Sequence, residues 1–366
     1  MKHDISKHAR IPLAVAAGVL VAGLASSAQA TDVSKFFHLQ SVLNLGGSGT
    51  SWDHIDYDQS HHRLYLSRRD DGLTVVDSST GKVIGQVANA KGSGSTAFDL
   101  KADRGFTANT DGSTSVFKLS DLSPVARVSF GDNFDGVVFD DVTGMLAYQQ
   151  ADNSKELIVD PNTMKLVATI VVDGKQLERP ALDGKGNLYI PMRDKHVVYK
   201  VDIKAGKIAA KWDVSAKCTQ PSGSDFDRAN DRLLLACRGM LSNPVMAVVN
   251  AQTGAVTATY RIGLGADDLV FDATGKQAFV TAGVEGNLEV FKQDGPDAYK
   301  MTEAVQTRPG MRVMRYDPQT KTIYSMTADG IFDASKKNLA FISPFYANVV
   351  VPGSFVMLTY ARGASK

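Results

Sequence analysis

Between Trp52 and the C-terminus one pattern recurs seven times, and no other feature constrains the fold as tightly. Each copy opens with a short apolar segment that usually closes on aspartate: Ile55-Asp56-Tyr57-Asp58, Val137-Val138-Phe139-Asp140, Ala181-Leu182-Asp183, Asp225-Phe226-Asp227, Leu269-Val270-Phe271-Asp272 and Met314-Arg315-Tyr316-Asp317. The second copy, Phe98-Asp99-Leu100-Lys101, reads as closing on Lys101. On that reading successive closing positions lie 43, 39, 43, 44, 45 and 45 residues apart. A tight turn follows each one. Then come a second alternating segment such as Arg63-Leu64-Tyr65-Leu66, a third such as Leu73-Thr74-Val75-Val76-Asp77, a Thr-Gly-Lys-like turn and a fourth. Four short strands in each repeat of about 40 to 50 residues predict an all-β, seven-bladed β-propeller. A blade cannot bury both faces alone, so the even repeat predicts one closed ring over residues 31–366.

The last copy begins at Met311 and lacks an obvious fourth strand. A strand-like segment, Phe36 to Leu45, precedes the first copy. Pairing the two completes the last blade with the N-terminal strand and removes two open sheet edges. Residues Ile331 to Gly353, with Phe341, Phe345, Tyr346 and Val349 to Val351, read as an insertion folded over one face or side.

Residues 1–30 carry the marks of a signal peptide: basic Lys2, Lys7 and Arg10, an apolar stretch from Ile11 to Leu24, and Ala28-Gln29-Ala30 before the expected cut after Ala30. The mature chain is then expected in the periplasm, with no membrane span and as a monomer. Without Lys2, Lys7, Arg10 and Asp4 it holds 37 basic and 38 acidic side chains, a net charge of −1. Such a balance creates no field for polyanions or anionic membranes, so nucleic acid is not an expected partner. Cys218 falls just before the first strand of the fifth copy and Cys237 at the end of its second strand. Both sulfurs thus reach the same end of one hairpin, and an oxidising compartment favours a disulfide over a catalytic thiol or soft-metal pair.

Strands alternate in direction, so the connections sort onto two faces. One face carries short turns such as Ser79-Thr80-Gly81-Lys82. The other carries longer polar loops and the links between blades, where function concentrates in loop-bearing scaffolds. Counting five residues back from each closing position gives Asp53, Thr96, Asp135, Glu178, Ser222, Asp267 and Arg312, and one step further in lie His54, Arg179 and Asp268. Second-strand exits add Arg68, Arg69, Asn109, Gln149, Arg193, Arg238 and Thr281. The candidate ligand site is therefore Asp53, His54, Arg68, Asp135, Glu178, Arg179, Asp267, Asp268 and Arg312 around the channel mouth. Its carboxylates Asp53, Asp135, Glu178 and Asp267 could hold a divalent cation, and its arginines a small anion. The same side chains have a purely structural use, fixing inter-blade turns through backbone N–H groups.

The chain has no Gly-x-Ser-x-Gly elbow, His-Glu-x-x-His, Cys-x-x-Cys-His or Walker loop. Its recurring units, clearest in Arg63-Leu64-Tyr65-Leu66-Ser67 with Leu73-Thr74-Val75-Val76-Asp77-Ser78-Ser79-Thr80-Gly81-Lys82-Val83-Ile84 and again in Lys276-Gln277-Ala278-Phe279-Val280-Thr281, resemble the YVTN-type seven-bladed propellers. The resemblance covers essentially all of Phe36 to Arg362 and is close to the exported YncE-like group. It implies the fold, an envelope location and a binding role. One member type is linked to single-stranded DNA, a partner that the charge balance and the lack of a basic stripe argue against here. The expected function is a non-catalytic binding or scaffold propeller that holds an envelope protein or small molecule. The alternative is a metal-dependent lactonase- or lyase-like propeller, with a carboxylate-bound divalent cation at the channel mouth and His54 as general base.

Overall fold

The computed structural model describes residues 35–239, 242–333, 335 and 348–363. The expected signal peptide, its cleavage point after Ala30, and Phe341, Phe345 and Tyr346 lie outside them. Seven four-stranded antiparallel sheets pack in a ring, as the repeat predicts. Blade 1 consists of Ile55–Asp58, Arg63–Ser67, Leu73–Asp77 and Lys82–Val87, paired in that order outward from the channel. The innermost strands of blades 2 to 7 are Ser93–Asp99, Gly136–Asp140, Ala181–Leu182, Pro221–Asp227, Leu269–Asp272 and Met314–Asp317. Middle strands such as Leu73–Asp77 are covered on both faces and read as continuous apolar runs, whereas outer strands such as Lys82–Val87 are largely exposed.

The closing residue of every copy is an aspartate, and its role is local. Each carboxylate accepts a backbone N–H from the turn it starts: Asp58 from Ser60 (3.0 Å), Asp140 from Thr143 (2.9 Å), Asp183 from Lys185 (2.7 Å), Asp227 from Ala229 (3.2 Å), Asp272 from Thr274 (3.0 Å) and Asp317 from Gln319 (2.9 Å). In blade 2 the cap is Asp99, which accepts from Ala102 (3.1 Å), so the expectation for Lys101 is corrected. The first two intervals then become 41 residues each, 58 to 99 and 99 to 140.

Blades meet through aromatic side chains. Tyr65 of blade 1 packs on Phe98 of blade 2 (5.0 Å between centroids), Tyr189 of blade 4 on Phe226 of blade 5 (5.0 Å), and Phe279 of blade 6 on Tyr316 of blade 7 (4.5 Å). Tyr57 and Tyr324 (5.8 Å) join blade 1 to blade 7. Each such ring removes a large apolar area from water, alongside the Val, Leu and Ile of the same clusters.

The ring closes as expected. His38–Asn44 pairs antiparallel with Val356–Ala361, which pairs with Thr322–Thr327, so the N-terminal strand is the outer strand of blade 7. Phe37 anchors it against Phe279 (5.8 Å) and lies under the Arg362 guanidinium (4.3 Å). The insertion in blade 7 starts as a ribbon in which Gly330–Ile331 pairs with Val349–Val350. Among the described residues no helix is long and apolar enough to cross a membrane.

Cys218 and Cys237 form the expected disulfide, with Cα atoms 5.3 Å apart, inside the buried cluster between blades 4 and 5. Closing a loop of this size contributes about 3 kcal/mol, mainly by restricting the unfolded chain. Urea unfolding with and without reductant, repeated on Cys218→Ala/Cys237→Ala, is expected to show that loss. A midpoint indifferent to reductant would show that the bond carries no stability.

Candidate functional site

Innermost strands begin at the channel on the long-loop face, and their side chains alternate. Positions four, two and zero before the closing aspartate therefore share one face: His54, Asp56 and Asp58 in blade 1, Asp268, Val270 and Asp272 in blade 6, Val313, Arg315 and Asp317 in blade 7. Asp53, Asp135, Glu178, Asp267 and Arg312 precede these strands and surround the mouth. The second strands return to the same face and bring in Arg69, Arg193 and Arg238.

At the mouth, carboxylates and guanidiniums alternate. Arg69 bonds Asp53 and lies 3.3 Å from Asp135; Arg193 lies 2.7 Å from Glu178; Arg238 bonds Asp267, which is also 3.7 Å from Arg312. Arg312 is fixed from behind, donating to the Trp52 carbonyl (2.5 Å) and stacking on the Trp52 ring (5.2 Å). A layer deeper, Asp56 receives Arg179 (2.7 Å) and Arg315 (3.1 Å), and Arg315 also donates to Asp268 (3.0 Å).

The inner layer also links blades through the backbone. Asp56 accepts the Thr96 N–H of blade 2 (2.8 Å), Ser95 the Val137 N–H of blade 3 (2.8 Å), Asp225 the Phe271 N–H of blade 6 (2.7 Å) and Asp268 the Met314 N–H of blade 7 (2.9 Å). These three carboxylates and one hydroxyl are structural ties, so the structural use of blade-start side chains applies to the inner layer.

Burial dominates their protonation. It pushes Asp53 up to about 8 against the attraction of Arg69, with Asp135 adding to the rise. It pushes Asp268 up to about 7, opposed by the Met314 N–H and Arg179. Glu178 is also raised by burial, whereas at Asp267 burial is outweighed by Arg238, Arg312 and Arg193, which hold it low. Burial, with Arg179, Arg69 and Arg312, drives His54 well below the usual histidine range, so its imidazole is neutral. Neutral imidazole is the form a general base needs, but one whose proton affinity is lowered this far by burial and three guanidiniums is a weak base, which counts against the alternative reading.

Of the expected site residues, Asp53, His54, Asp135, Glu178, Arg179, Asp267 and Asp268 line one cavity of about 40 Å³. Arg312 stands beside it on Asp267. Arg68 does not reach it: its guanidinium bonds Asp71 and the Gly46 carbonyl and lies 5.1 Å over Phe355, where it clips the N-terminal segment to blade 1. Its neighbour Arg69 takes the mouth position. Thr96 is also elsewhere, because with Asp99 as the closing residue the fifth position back is Gly94. A Cβ there would lie 2.7 Å from the Asp135 carbonyl and 3.3 Å from Asp53, so only glycine leaves room for the Arg69–Asp53 pair. Asn109 and Gln149 bond within their own blades, to Ser113 (3.1 Å) and Glu156 (2.6 Å). Strand alternation applied two residues before each closing aspartate would have found Asp56, Asp225 and Arg315.

The donor set does not fit a divalent cation. The mouth carboxylates are held by guanidiniums, and among the described residues no three His, Cys, Asp or Glu side chains converge as ligands. A cavity of about 40 Å³ accepts a few waters, far below the roughly 300–1,000 Å³ of small-molecule sites.

No family model and no curated protein matches this chain. Solved structures do. A chain of hydrazine synthase from Kuenenia stuttgartiensis superposes with a TM-score of 0.65 at 15% identity, over 79% of this chain and 94% of that one. A chain from a mitotic checkpoint complex superposes with a TM-score of 0.69 at 12% identity, over 85% and 96%. At such identities the likeness establishes the class: the protein is a seven-bladed β-propeller.

A carboxyl whose folded pKa is raised adds stability that is fully present below about pH 4 and is lost as pH rises through its folded value. For Asp53 and Asp268 that window ends at about 8 and about 7. The melting temperature is therefore expected to fall between about pH 5 and pH 9, and Asp53→Asn, which fixes the neutral form, to flatten the decline. Thermal melts of both proteins across that range would show identical slopes if the mouth carboxyls were ordinary.

Proposed function

We propose that this chain is an exported, non-catalytic binding or scaffold propeller of the YncE-like kind. Residues 1–30 form a signal peptide cut after Ala30, and the mature ring, residues 31–366, works as a monomer in the periplasm. Its long-loop face around the channel holds an envelope protein, with a small ligand as the lesser option. The observation that carries this reading is the mouth itself: carboxylates held by arginines around about 40 Å³. That is a broad, charged rim with no substrate-sized pocket, and alternating charges on a rigid rim give a docking surface orientation and selectivity. The rim remains accessible at Asp135, whose side chain is 39% exposed, and at Arg312, 34% exposed. A disulfide is at home in an oxidising compartment, which supports the periplasmic setting.

Two measurements test it. Calcium or manganese titration should leave the melting temperature unchanged; a large stabilisation abolished by Asp267→Asn with Glu178→Gln would favour the metal-dependent lactonase or lyase. A photo-crosslinking residue at position 135 should give discrete adducts in the envelope of the producing cell, while the same residue at position 253, on the short-turn face, should not. Equal adducts from both positions, or none from either, would contradict a partner-holding face.

A further inference from the structure

Away from the channel, blades 5 and 6 part on the long-loop face around a cleft of about 350 Å³. Glu289 lies on its inner wall, in strand Asn287–Gly295 of blade 6, and is only 5% exposed. Its Oε2 has no hydrogen-bond partner. Glu285 approaches from the short loop that precedes that strand. A Cβ on Gly263, in the link from blade 5, would sit 2.9 Å from Oε2 of Glu285 and 3.2 Å from Oε1 of Glu289. Both carboxylates thus close over one point of the backbone, where the Ala282 Cβ, at 2.6 Å, leaves even less room for a side chain. No ion pair joins either glutamate to the rim residue Arg261 among the described residues.

A buried carboxylate oxygen without a partner is costly, and native proteins rarely retain one. Burial, with the neighbouring Glu285 charge adding to it, raises the Glu289 carboxyl to about 7, although the Gly263 N–H opposes the rise. A cation entering the cleft would relieve that cost. The rest of the wall says which kind. Pro244, Ile262, Leu264 and Met301 make one side apolar, and Ser242 offers a hydroxyl. Two carboxylates and one hydroxyl supply at most five of the 6–8 oxygens that calcium takes, and among the described residues no third carboxylate joins them. They do suit the three N–H donors of an ammonium group, and the apolar side suits the alkyl stem behind it. The volume lies at the small end of the roughly 300–1,000 Å³ range of ligand pockets.

We propose that this inter-blade cleft binds a primary alkylammonium group, its ammonium at Glu289 and Glu285 and its stem along Ile262, Leu264 and Met301. The group could belong to a free amine or to a lysine side chain of a partner. The site is separate from the channel mouth and stands whether or not the mouth docks a protein.

Calorimetric titration of the mature protein with 1-aminopentane, with Nα-acetyl-lysine amide and with 1-pentanol tests it. Saturable binding of at least one amine and none of the alcohol is expected; tighter 1-aminopentane points to a free amine, tighter lysine amide to a partner's lysine. Glu289→Gln should weaken amine binding about 10- to 100-fold, the range for losing a hydrogen bond to a charged group. Glu285 is exposed, so Glu285→Lys should fold normally and abolish binding by supplying its own cation. Pentanol binding as tightly as the amine, no saturable amine binding, or amine binding unchanged in both variants would each overturn the proposal. None of these outcomes depends on crosslinking at position 135, so the two readings fail separately.

Discussion

The antiparallel pairing of His38–Asn44 with Val356–Ala361 is the contact on which the rest of the molecule depends. Other blades are covalently joined to their neighbours on both sides, but blade 7 and blade 1 meet only where the chain's two ends are brought together. The N-terminal strand solves this by being bonded into blade 7 and continuous with blade 1. It also covers an edge that would otherwise offer unpaired N–H and C=O groups to another chain. The segment is held at several points. Phe37 fills the gap beside Phe279, the Phe37 N–H donates to Glu303 (2.9 Å), and Arg68 grips the Gly46 carbonyl just before blade 1.

Closure also sets the electrostatics of the channel. Arg315 of blade 7 reaches Asp56 of blade 1 across the seam, and Arg312 reaches the Trp52 carbonyl beside it. Without a closed ring Arg315 would keep Asp268 but lose Asp56, Arg312 would keep Asp267 but lose the Trp52 carbonyl, and Asp56 would keep its burial with Arg179 as its remaining guanidinium. A buried ion pair is weak evidence for stability, but removing one partner from such a network is strongly destabilising. The polar interior therefore specifies which blades are neighbours more than it adds to net stability. That accounts for a mouth rich in charge around a cavity of only about 40 Å³.

Much of the architecture was legible because it rests on period. Seven recurring openings, seven tight turns and a missing last strand are enough to count the blades and to predict that the N-terminus completes the ring. The cysteine pair followed from hairpin geometry. What failed were positions fixed by single backbone conformations. Blade 2 opens on Ser93, Gly94 and Ser95 instead of an apolar run, which shifted its closing residue from Asp99 to Lys101 and misplaced Thr96. Arg68 and Arg69 are adjacent and chemically identical. Arg69 adopts a left-handed backbone (φ 45°), and it is Arg69 that reaches the channel while Arg68 packs under the N-terminal segment, a choice no residue count reveals. The cleft at Glu289 escaped because its two carboxylates, four residues apart, come from a loop and a strand and meet only over the backbone of the previous blade's link.

Removing the mature N-terminal segment through Leu45 and following thermal unfolding together with molecular mass in solution tests the closed ring most directly. The account predicts a sharp loss of heat resistance and self-association through the bared edge of Val356–Ala361. A truncated chain that stayed monomeric and as heat-resistant as the intact one would contradict it.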